Sequence, residues 1–569
     1  KPFNIPTTRV VKIYEKYGKE AVEKITDNPY KLCEDIEGIG FITADMIARS
    51  CNKSPNDDYR IRAGIIHTLK ETSMTEGHTY LPFDLLVSKT KETLEQGQIS
   101  GEINRNDIIR VSIDMNNMEE IVIEEDGAAY LPLYLASERS SAHKVRLLLN
   151  REAKKFHLDV EETIAELEKE QKIKYADKQK EAFRTLDKSN LIIITGGPGT
   201  GKTTIIKGII GIYKKNFPGS KIILAAPTGR AAKRMEEATG LKAMTIHRQL
   251  EYRPSQDGSI QCGRNEKNPL DADLIIVDES SMIDILLFST FLKAIKPSTS
   301  LVIVGDIDQL PSVGAGNVLK DLIDSGKVPI VYLNEIFRQK DASKIIVNAS
   351  NINKGICDLE FSDDFQFVEE NDPFVIPEII KTCFKNELMK VKDINEIQVL
   401  SPFRRNTETG VNQLNLILQK DLNAKEKGEP EIVYRRIPFR RYDKVMQYKN
   451  NYDKEVYNGD VGVILEINSV EGRVVVDMDG EKIEYFKDEL DEIQLAYATT
   501  IHKSQGSEFD TIIIPVSMQH KRMLQRNLLY TAVTRAKRKV ILVGSKKALN
   551  YAIKNNKVKG RFSKLDKRI

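Results

Sequence analysis

The segment at residues 191–204 limits the possible folds of this chain more than any other. An apolar run leads into a glycine-rich turn, where Gly196 and Gly201 bracket four residues and are followed by Lys202 and Thr203. Glycine lets backbone N–H groups approach phosphate oxygens closely, and the start of the following helix adds partial positive charge. The complete pattern predicts a phosphate-binding loop, in which Lys202 reaches the β- and γ-phosphates and Thr203 binds Mg²⁺. The alternative is an ordinary glycine turn before a helix.

The composition limits the number of domains and the nature of the partners. A chain of 569 residues is too long for one core, so roughly three to five compact units are expected. Lys and Arg (86) nearly balance Asp and Glu (83), so any nucleic-acid surface must be a local groove. Residues 535–568 are locally basic, with Asp566 the only acid. Either a nucleic-acid surface or a solvated, frayed tail would explain this stretch.

The cysteines and the apolar runs exclude several classes of protein. The cysteines lack C-x-x-C pairing, which argues against zinc ribbons, iron–sulfur clusters and a disulfide framework and favours a reducing cytoplasm. No apolar run approaches the ~20 residues of a membrane span, so no membrane partner is expected. The sequence starts with Lys1, which fits a fragment of a longer protein. The cysteines are Cys33, Cys51, Cys262, Cys357 and Cys383.

The N-terminal quarter is predicted to contain two small units. Within residues 1–52, Gly38-Ile39-Gly40 separates two apolar helical stretches, a helix-hairpin-helix pattern whose turn can offer backbone amides to a DNA phosphate. A purely structural hairpin is an equal alternative. Residues 53–150 alternate helices with short strands and predict a helical or winged-helix unit. Charged, helical residues 139–172 predict a connector to the next domain.

The rest of the chain predicts two α/β domains, at residues 151–345 and 346–569. Short, β-branched runs separated by helical stretches are typical of a parallel sheet covered on both faces. In the first domain, Asp257-Gly258 predicts an inserted β-hairpin at about 250–267. In the second, short alternating strands predict an inserted β-barrel at about 433–490. The predicted strands are 191–194, 222–225, 274–277, 301–304 and 330–333 in the first domain and 397–400, 511–516 and 540–543 in the second.

Acidic and amide side chains follow two of the predicted strands. Asp278 and Glu279 end an apolar strand, where Asp278 would hold Mg²⁺ and Glu279 would orient and deprotonate the attacking water. Gln309 follows another strand, at the edge where α/β sheets bind ligands, and could sense the γ-phosphate. Arg338 and Arg535 are candidate arginine fingers that would reach into an interdomain cleft. For either arginine alone, a surface salt bridge is the alternative.

The ordered set of motifs resembles that of superfamily 1 DNA helicases, and the residues within the motifs are similar to those of the RecD branch (RecD/TraA type). The resemblance covers nearly the whole chain from Asp27 onward. Residues 28–48 and 441–463 further resemble the stand-alone bacterial members that act outside the RecBCD complex. The matching motifs are residues 195–204, 226–232, 245–248, 277–282, 304–314, 337–339, 498–509 and 530–535.

The resemblance implies two RecA-like P-loop motor domains and assigns roles to individual residues. Gln179 would read adenine, and Glu508 would contact the nucleotide sugar. For His502 and Lys503, a capped helix start after Thr500 is the alternative. The nucleotide-binding loop would comprise Gly197, Pro198, Gly199, Thr200, Gly201, Lys202, Thr203 and Thr204. The surface that tracks single-stranded DNA would comprise Pro227, Thr228, Arg230, His247, Thr500, His502, Lys503 and Gln505.

The activity that the resemblance implies is ATP- and Mg²⁺-dependent separation of duplex DNA with a 5′ tail, with movement 5′ to 3′ along the single strand. The hairpin would act as a strand-separating pin, and the barrel would be an SH3-like domain that contacts the tracked strand. A role in repair or recombination, a monomeric state and no obligate protein partner are expected. The alternative is a DNA-stimulated ATPase that remodels protein–DNA complexes without separating strands. A catalytically silent binding module is disfavoured because the motor residues are present.

Overall fold

The computed structural model describes residues 7–569 except 37, 255–259, 335–342, 452, 479 and 557–559. At the N-terminus, α3 ends before Gly38, whose φ of 89° makes the turn, and α4 begins at Phe41. The predicted helix-hairpin-helix is therefore present, with a first helix of one short turn. Its helices are α1 (Thr7–Tyr17), α2 (Ala21–Asp27), α3 (Leu32–Asp35) and α4 (Phe41–Ser50).

The next unit has the element order of a winged helix, one of the two predicted alternatives. Its short strands form an antiparallel sheet in the order β1-β3-β2. The long helix α8 leaves this unit, and Ala142, Val145 and Leu148 on it are buried in the core of the following α/β domain. The elements are α5 (Asp58–Thr75), β1 (Tyr80–Pro82), α6 (Phe83–Glu95), α7 (Arg105–Asn117), β2 (Val122–Ile123), β3 (Ala128–Tyr130) and α8 (Pro132–Asn150).

The first α/β domain is built on a parallel sheet in the order β11-β4-β10-β9-β5-β6. Apolar residues bury both faces of this sheet in separate clusters, as its uninterrupted apolar strands require. The parallel sheet was predicted correctly. The elements are α9 (Val160–Gln171), α10 (Asp177–Leu186), β4 (Leu191–Gly196), α11 (Lys202–Asn216), β5 (Ile222–Ala226), α12 (Gly229–Thr239), β6 (Ala243–Thr245), α13 (Ile246–Gln249), β7 (Tyr252–Pro254), β8 (Ile260–Cys262), β9 (Leu274–Val277), α14 (Ile285–Lys293), β10 (Ser300–Gly305), α15 (Val318–Asp324) and β11 (Ile330–Leu333).

The predicted inserted hairpin is also present. Strands β7 and β8 pair antiparallel, with Tyr252 opposite Cys262. The turn that contains Asp257-Gly258 lies outside the described residues.

The second α/β domain has a parallel sheet in the order β12-β23-β22-β13-β21. Inserted between α18 and β21 is an antiparallel sheet in the order β19-β18-β17-β16-β20, beside the separate pair β14-β15. The insert thus extends to Leu495, beyond the predicted limit of 490, because its last strand pairs with β16. The elements are α16 (Lys344–Lys354), β12 (Phe365–Glu369), α17 (Ile376–Leu388), β13 (Ile397–Ser401), α18 (Val411–Leu422), β14 (Glu431–Tyr434), β15 (Ile437–Arg440), β16 (Lys444–Gln447), β17 (Val461–Asn468), β18 (Arg473–Met478), β19 (Glu481–Phe486), β20 (Ile493–Leu495), β21 (Ala498–Thr500), β22 (Phe509–Val516), α19 (Arg526–Val533), β23 (Ala536–Gly544), α20 (Lys546–Lys554) and α21 (Leu565–Arg568).

The basic C-terminal stretch is not a frayed tail, so that alternative is wrong. Its first part forms β23 and α20, and Lys539 pairs with the buried Glu387 at 2.8 Å. In its last part, Leu565 is fully buried in the core of the first α/β domain, and Lys564 pairs with Glu124 at 3.1 Å. Several of the basic side chains therefore pair with acidic partners within the fold. Among the described residues, no helix has both the length and the apolar character that a membrane span requires.

Candidate active site and nucleic-acid groove

The glycine-rich loop joins β4 to α11 and has the geometry of a phosphate site. Gly199 and Gly201 have φ of 75° and 83°, which favour glycine, and Gly201 precedes the first turn of a helix of 15 residues. The Lys202 ammonium donates hydrogen bonds to the carbonyls of Gly196 (2.7 Å) and Gly197 (3.0 Å). The loop therefore places the first amides of α11 beside the Lys202 ammonium, a donor set that suits a polyphosphate.

The two predicted carboxylates lie at the end of β9. Burial and the adjacent Glu279 carboxylate raise the pKa of Asp278. Burial would also raise the pKa of Glu279, but the positive charges of Arg535, Arg234 and Lys202 outweigh it and lower that pKa. Glu279 has a left-handed backbone (φ 52°), which is strained for a residue with a side chain. Glu279 is therefore the more readily ionised of the two carboxyl groups, and a bound cation would favour the ionised form of Asp278.

Arg535 reaches this cluster from the second α/β domain. Its side chain is only 3% exposed, and its guanidinium donates to Gln309 Oε1 at 2.6 Å and to Glu279 Oε1 at 3.4 Å. Gln309 in turn donates to Asp306 Oδ2 at 3.1 Å. The surface salt bridge considered for Arg535 is therefore wrong, since its partners are the buried groups of the site. Arg338, the other candidate finger, lies outside the described residues.

These groups line one cleft of about 590 Å³ between the two α/β domains. Thr200 is not on the cleft wall, and its hydroxyl donates to the Gly197 carbonyl at 2.8 Å within the loop. Gln179 is also off the wall: its side chain accepts from the Ala176 N–H at 3.1 Å at the start of α10. The predicted residues on the wall are Gly197, Pro198, Gly199, Gly201, Lys202, Thr203, Thr204, Asp278, Glu279, Gln309, Glu508 and Arg535.

Three residues of the site were missed from the sequence. Arg234 pairs with Glu508 at 2.9 Å and donates to the Gly506 carbonyl, which ties α12 to the second domain. Asp306 accepts a hydrogen bond from the Tyr530 hydroxyl at 2.9 Å across the same boundary. Two of them carried a signal: Arg234 is one helical turn after Arg230, and Asp306 follows β10 as Asp278 follows β9.

The second feature is a groove of about 490 Å³, also between the two α/β domains. The structure brings every residue predicted to track DNA to this one groove. The first domain contributes Pro227, Thr228, Arg230 and His247, and the second contributes Thr500, His502, Lys503 and Gln505.

Local contacts separate the available side chains from those already engaged. Thr500 accepts a hydrogen bond from the Lys503 N–H at 3.3 Å, so the capped helix start is present, and His502 and Lys503 line the groove as well. Gln505 is 4% exposed and donates to the Leu310 carbonyl at 2.9 Å, which makes it a contact between domains. Burial lowers the pKa values of His247 and His502. Both imidazoles are therefore neutral at pH 7 and offer hydrogen bonds without a full charge.

An aromatic side chain of the inserted barrel also lines the groove and was missed from the sequence. This residue is Tyr448. The Lys503 ammonium lies 4.5 Å from the centroid of its ring, and the Arg404 guanidinium lies 4.7 Å from the same centroid. On the other side of the groove, the His247 ring contacts that of Tyr252, at the base of the hairpin, with centroids 5.2 Å apart. The groove therefore connects the barrel with the base of the hairpin.

The matching family models and sequence relatives agree with this organisation. Matching family models are the ATP-dependent RecD2 DNA helicase HHH domain (residues 1–80), an AAA domain (179–315), the ATP-dependent RecD-like DNA helicase SH3 domain (414–478) and the UvrD-like helicase C-terminal domain (495–543). The ATP-dependent RecD2 DNA helicase of Deinococcus radiodurans is 31% identical over 545 residues, which cover 94% of this chain and 72% of that protein. The RecBCD enzyme subunit RecD of Mycolicibacterium smegmatis is 32% identical over 424 residues, which cover 67% and 73% of the two chains. The crystal structure of Bacteroides Pif1 bound to single-stranded DNA has 21% identity and a TM-score of 0.41, and covers 65% of this chain and 92% of that one.

Proposed function

Because this chain belongs to the family of ATP-dependent RecD2 DNA helicases, we propose that it moves 5′ to 3′ along single-stranded DNA and separates duplex DNA with a 5′ tail. One observation carries the proposal: the nucleotide cleft and the groove are both walled by the same two α/β domains. Closing the cleft on a nucleotide must therefore move the walls of the groove. Such a hinge can convert hydrolysis into steps along a strand.

In the proposed reaction, each part of the cleft acts on a different part of ATP. Lys202 and the loop amides hold the phosphates, and Glu279 accepts a proton from the attacking water. Thr203 and Asp278 supply the oxygen ligands that suit Mg²⁺, and the ion would neutralise charge on the phosphate oxygens. Gln309 senses the γ-phosphate, while Arg535 meets the charge that develops there. Arg338 is proposed as a second arginine finger, Gln179 would contact adenine, and Glu508 would contact the sugar.

The proposed strand contacts combine hydrogen bonds, phosphate charge and stacking. Thr228, His502 and Lys503 would contact the backbone, and Tyr448 offers a ring on which a base can stack. Such contacts carry little sequence preference. The hairpin β7/β8 is proposed as the pin because its base adjoins the groove at His247. We also propose the domain limits of 1–52, 53–150, 151–345 and 346–569, a monomer without an obligate protein partner, and a cytoplasmic location.

The test is ATP- and Mg²⁺-dependent separation of a duplex with a 5′ single-stranded tail. The unmodified chain should separate the strands. The Lys202→Ala variant should neither separate the strands nor hydrolyse ATP. A variant with residues 254–263 replaced by a short glycine turn should keep ATP hydrolysis stimulated by single strands and lose strand separation. If that variant still unwinds, the pin assignment is wrong. If the unmodified chain hydrolyses ATP on single strands and separates none, the remodelling ATPase replaces the helicase.

A further inference from the structure

The last ten residues, 560–569, join the winged-helix unit to the first α/β domain. The Phe562 N–H donates to His78 Nδ1 at 3.0 Å, and the Phe562 carbonyl accepts from the Thr79 N–H at 2.9 Å. Ser563 donates to Asp321 of α15 at 2.7 Å. With Leu565 buried in the core, this segment has a fixed path across both units.

Arg561, at the start of this segment, binds a single loop of the first α/β domain. Its guanidinium donates to the carbonyls of Ser312 (2.6 Å), Gly314 (2.8 Å) and Gly316 (2.6 Å), and also to the Ser312 hydroxyl (3.1 Å). The planar fork of arginine can reach several acceptors in fixed directions, which the ammonium of lysine cannot. One side chain thus contacts three backbone carbonyls of residues 312–316.

This loop is one of the covalent paths between the nucleotide cleft and the DNA groove. It follows Gln309 of the cleft within a few residues, and Val313 and Gly314 line the groove. Gly314 packs so closely on Asp284 that an added Cβ would lie 2.3 Å from a carboxylate oxygen. The Gly316 N–H donates to the Gly77 carbonyl of the winged-helix unit at 2.9 Å. The loop is therefore held from several sides, and Arg561 binds its backbone carbonyls.

We propose that Arg561 is a positioning residue that couples ATP hydrolysis to strand tracking by holding residues 312–316 as a rigid link between Gln309 and the groove. The inference rests on the proposed helicase function. It also gives the C-terminal segment and the winged-helix unit a part in coupling, since both hold the same loop. A flexible loop would loosen the link from Gln309 to the part of the groove wall formed by Val313 and Gly314.

The test compares Arg561→Ala, Arg561→Lys and the control Lys567→Ala, an exposed cation in the same segment. We expect ATPase activity without DNA to change by less than about twofold in all three variants. Stimulation by single-stranded DNA, and the nucleotides travelled per ATP, should fall about tenfold in Arg561→Ala, the scale for losing hydrogen bonds to a charged donor. Arg561→Lys should have the melting temperature of the unmodified chain, but its coupling should still be reduced. Unchanged coupling in Arg561→Ala would overturn the proposal. An equal fall in its ATPase activity with and without DNA, together with a lower melting temperature, would overturn it as well.

Hydrogen exchange without ATP or DNA separates a failure of this inference from a failure of the helicase function. Amide exchange in residues 310–317 should rise in Arg561→Ala and stay unchanged in Lys567→Ala. A protected loop in Arg561→Ala would refute the positioning role even if the chain is a helicase. A different result is possible: exchange rises in Arg561→Ala, but the unmodified chain does not unwind DNA. That result would reject the helicase function and, with it, the coupling.

Discussion

Replacing Arg535 with alanine removes one of the contacts that join the two α/β domains at the candidate reaction centre. The guanidinium is bound to Gln309 at 2.6 Å and to Glu279 at 3.4 Å, and it is almost fully buried. An arginine that meets charge on a transferring phosphoryl group contributes on the order of 10³-fold or more to turnover. At about 1.4 kcal/mol for each factor of ten, this is about 4 kcal/mol of transition-state stabilisation.

The assay is steady-state ATP hydrolysis with saturating single-stranded DNA, together with nucleotide binding measured separately. Arg535→Ala should lose about 10³-fold in kcat and keep nucleotide affinity within severalfold, because the phosphate loop is untouched. Arg538→Ala is the matched control: Arg538 lies three residues after Arg535, on β23, but its side chain is 46% exposed and pairs with Asp510 and Glu387. We expect less than twofold loss there. A loss below about tenfold in Arg535→Ala would refute the finger assignment.

The same variant has a signature in its pH dependence. The positive charge of Arg535 is the first of the charges that lower the pKa of Glu279 against the effect of burial. Glu279 must be ionised to accept a proton, so hydrolysis is lost as the pH falls through its pKa. Without Arg535 that pKa rises, and the acidic limb of the residual activity should move to higher pH. An acidic limb at the same pH in both proteins would contradict the proposed role of Glu279 as the base.

The remaining predictions concern the base, the groove and the C-terminal segment. Glu279→Gln should bind ATP as before and lose hydrolysis, because water activation needs the carboxylate charge; an equal loss of nucleotide affinity would contradict this role. Lys503→Ala should weaken single-strand binding without sequence preference and reduce its salt slope by about 0.7, measured by titration at several salt concentrations. An unchanged slope would mean that Lys503 serves only Tyr448 and Asn458. Leu565→Ala should cost about 2–5 kcal/mol of stability and lower the melting temperature, whereas a frayed tail would give no change.

The sequence was most informative where a short pattern fixes local geometry. The turn from Gly196 to Thr203 and the acids after β9 could be read because each depends on a strand, a turn and a few neighbouring side chains. The clustering of Thr228 and His502 in one groove was predicted through the family resemblance alone. Spacing along the chain cannot bring together residues that are separated by hundreds of positions.

The contacts that were missed are those between distant units. Tyr448 reaches the groove from the inserted barrel, and Asp306 meets Tyr530 across the domain boundary. The basic charges of residues 535–568 were ambiguous because their acidic partners, such as Glu387 and Glu124, lie far away in the sequence. A run of charge shows whether its side chains are paired only after the fold has placed the partners.

The central claim is that this chain is a helicase that moves 5′ to 3′. The most direct measurement compares strand separation, with ATP and Mg²⁺, of two partial duplexes that differ only in carrying a 5′ or a 3′ single-stranded tail. We expect separation of the 5′-tailed duplex alone, and none of it with Lys202→Ala. Separation of the 3′-tailed duplex alone would contradict the proposed polarity, and ATP hydrolysis without separation of either duplex would contradict the helicase function itself.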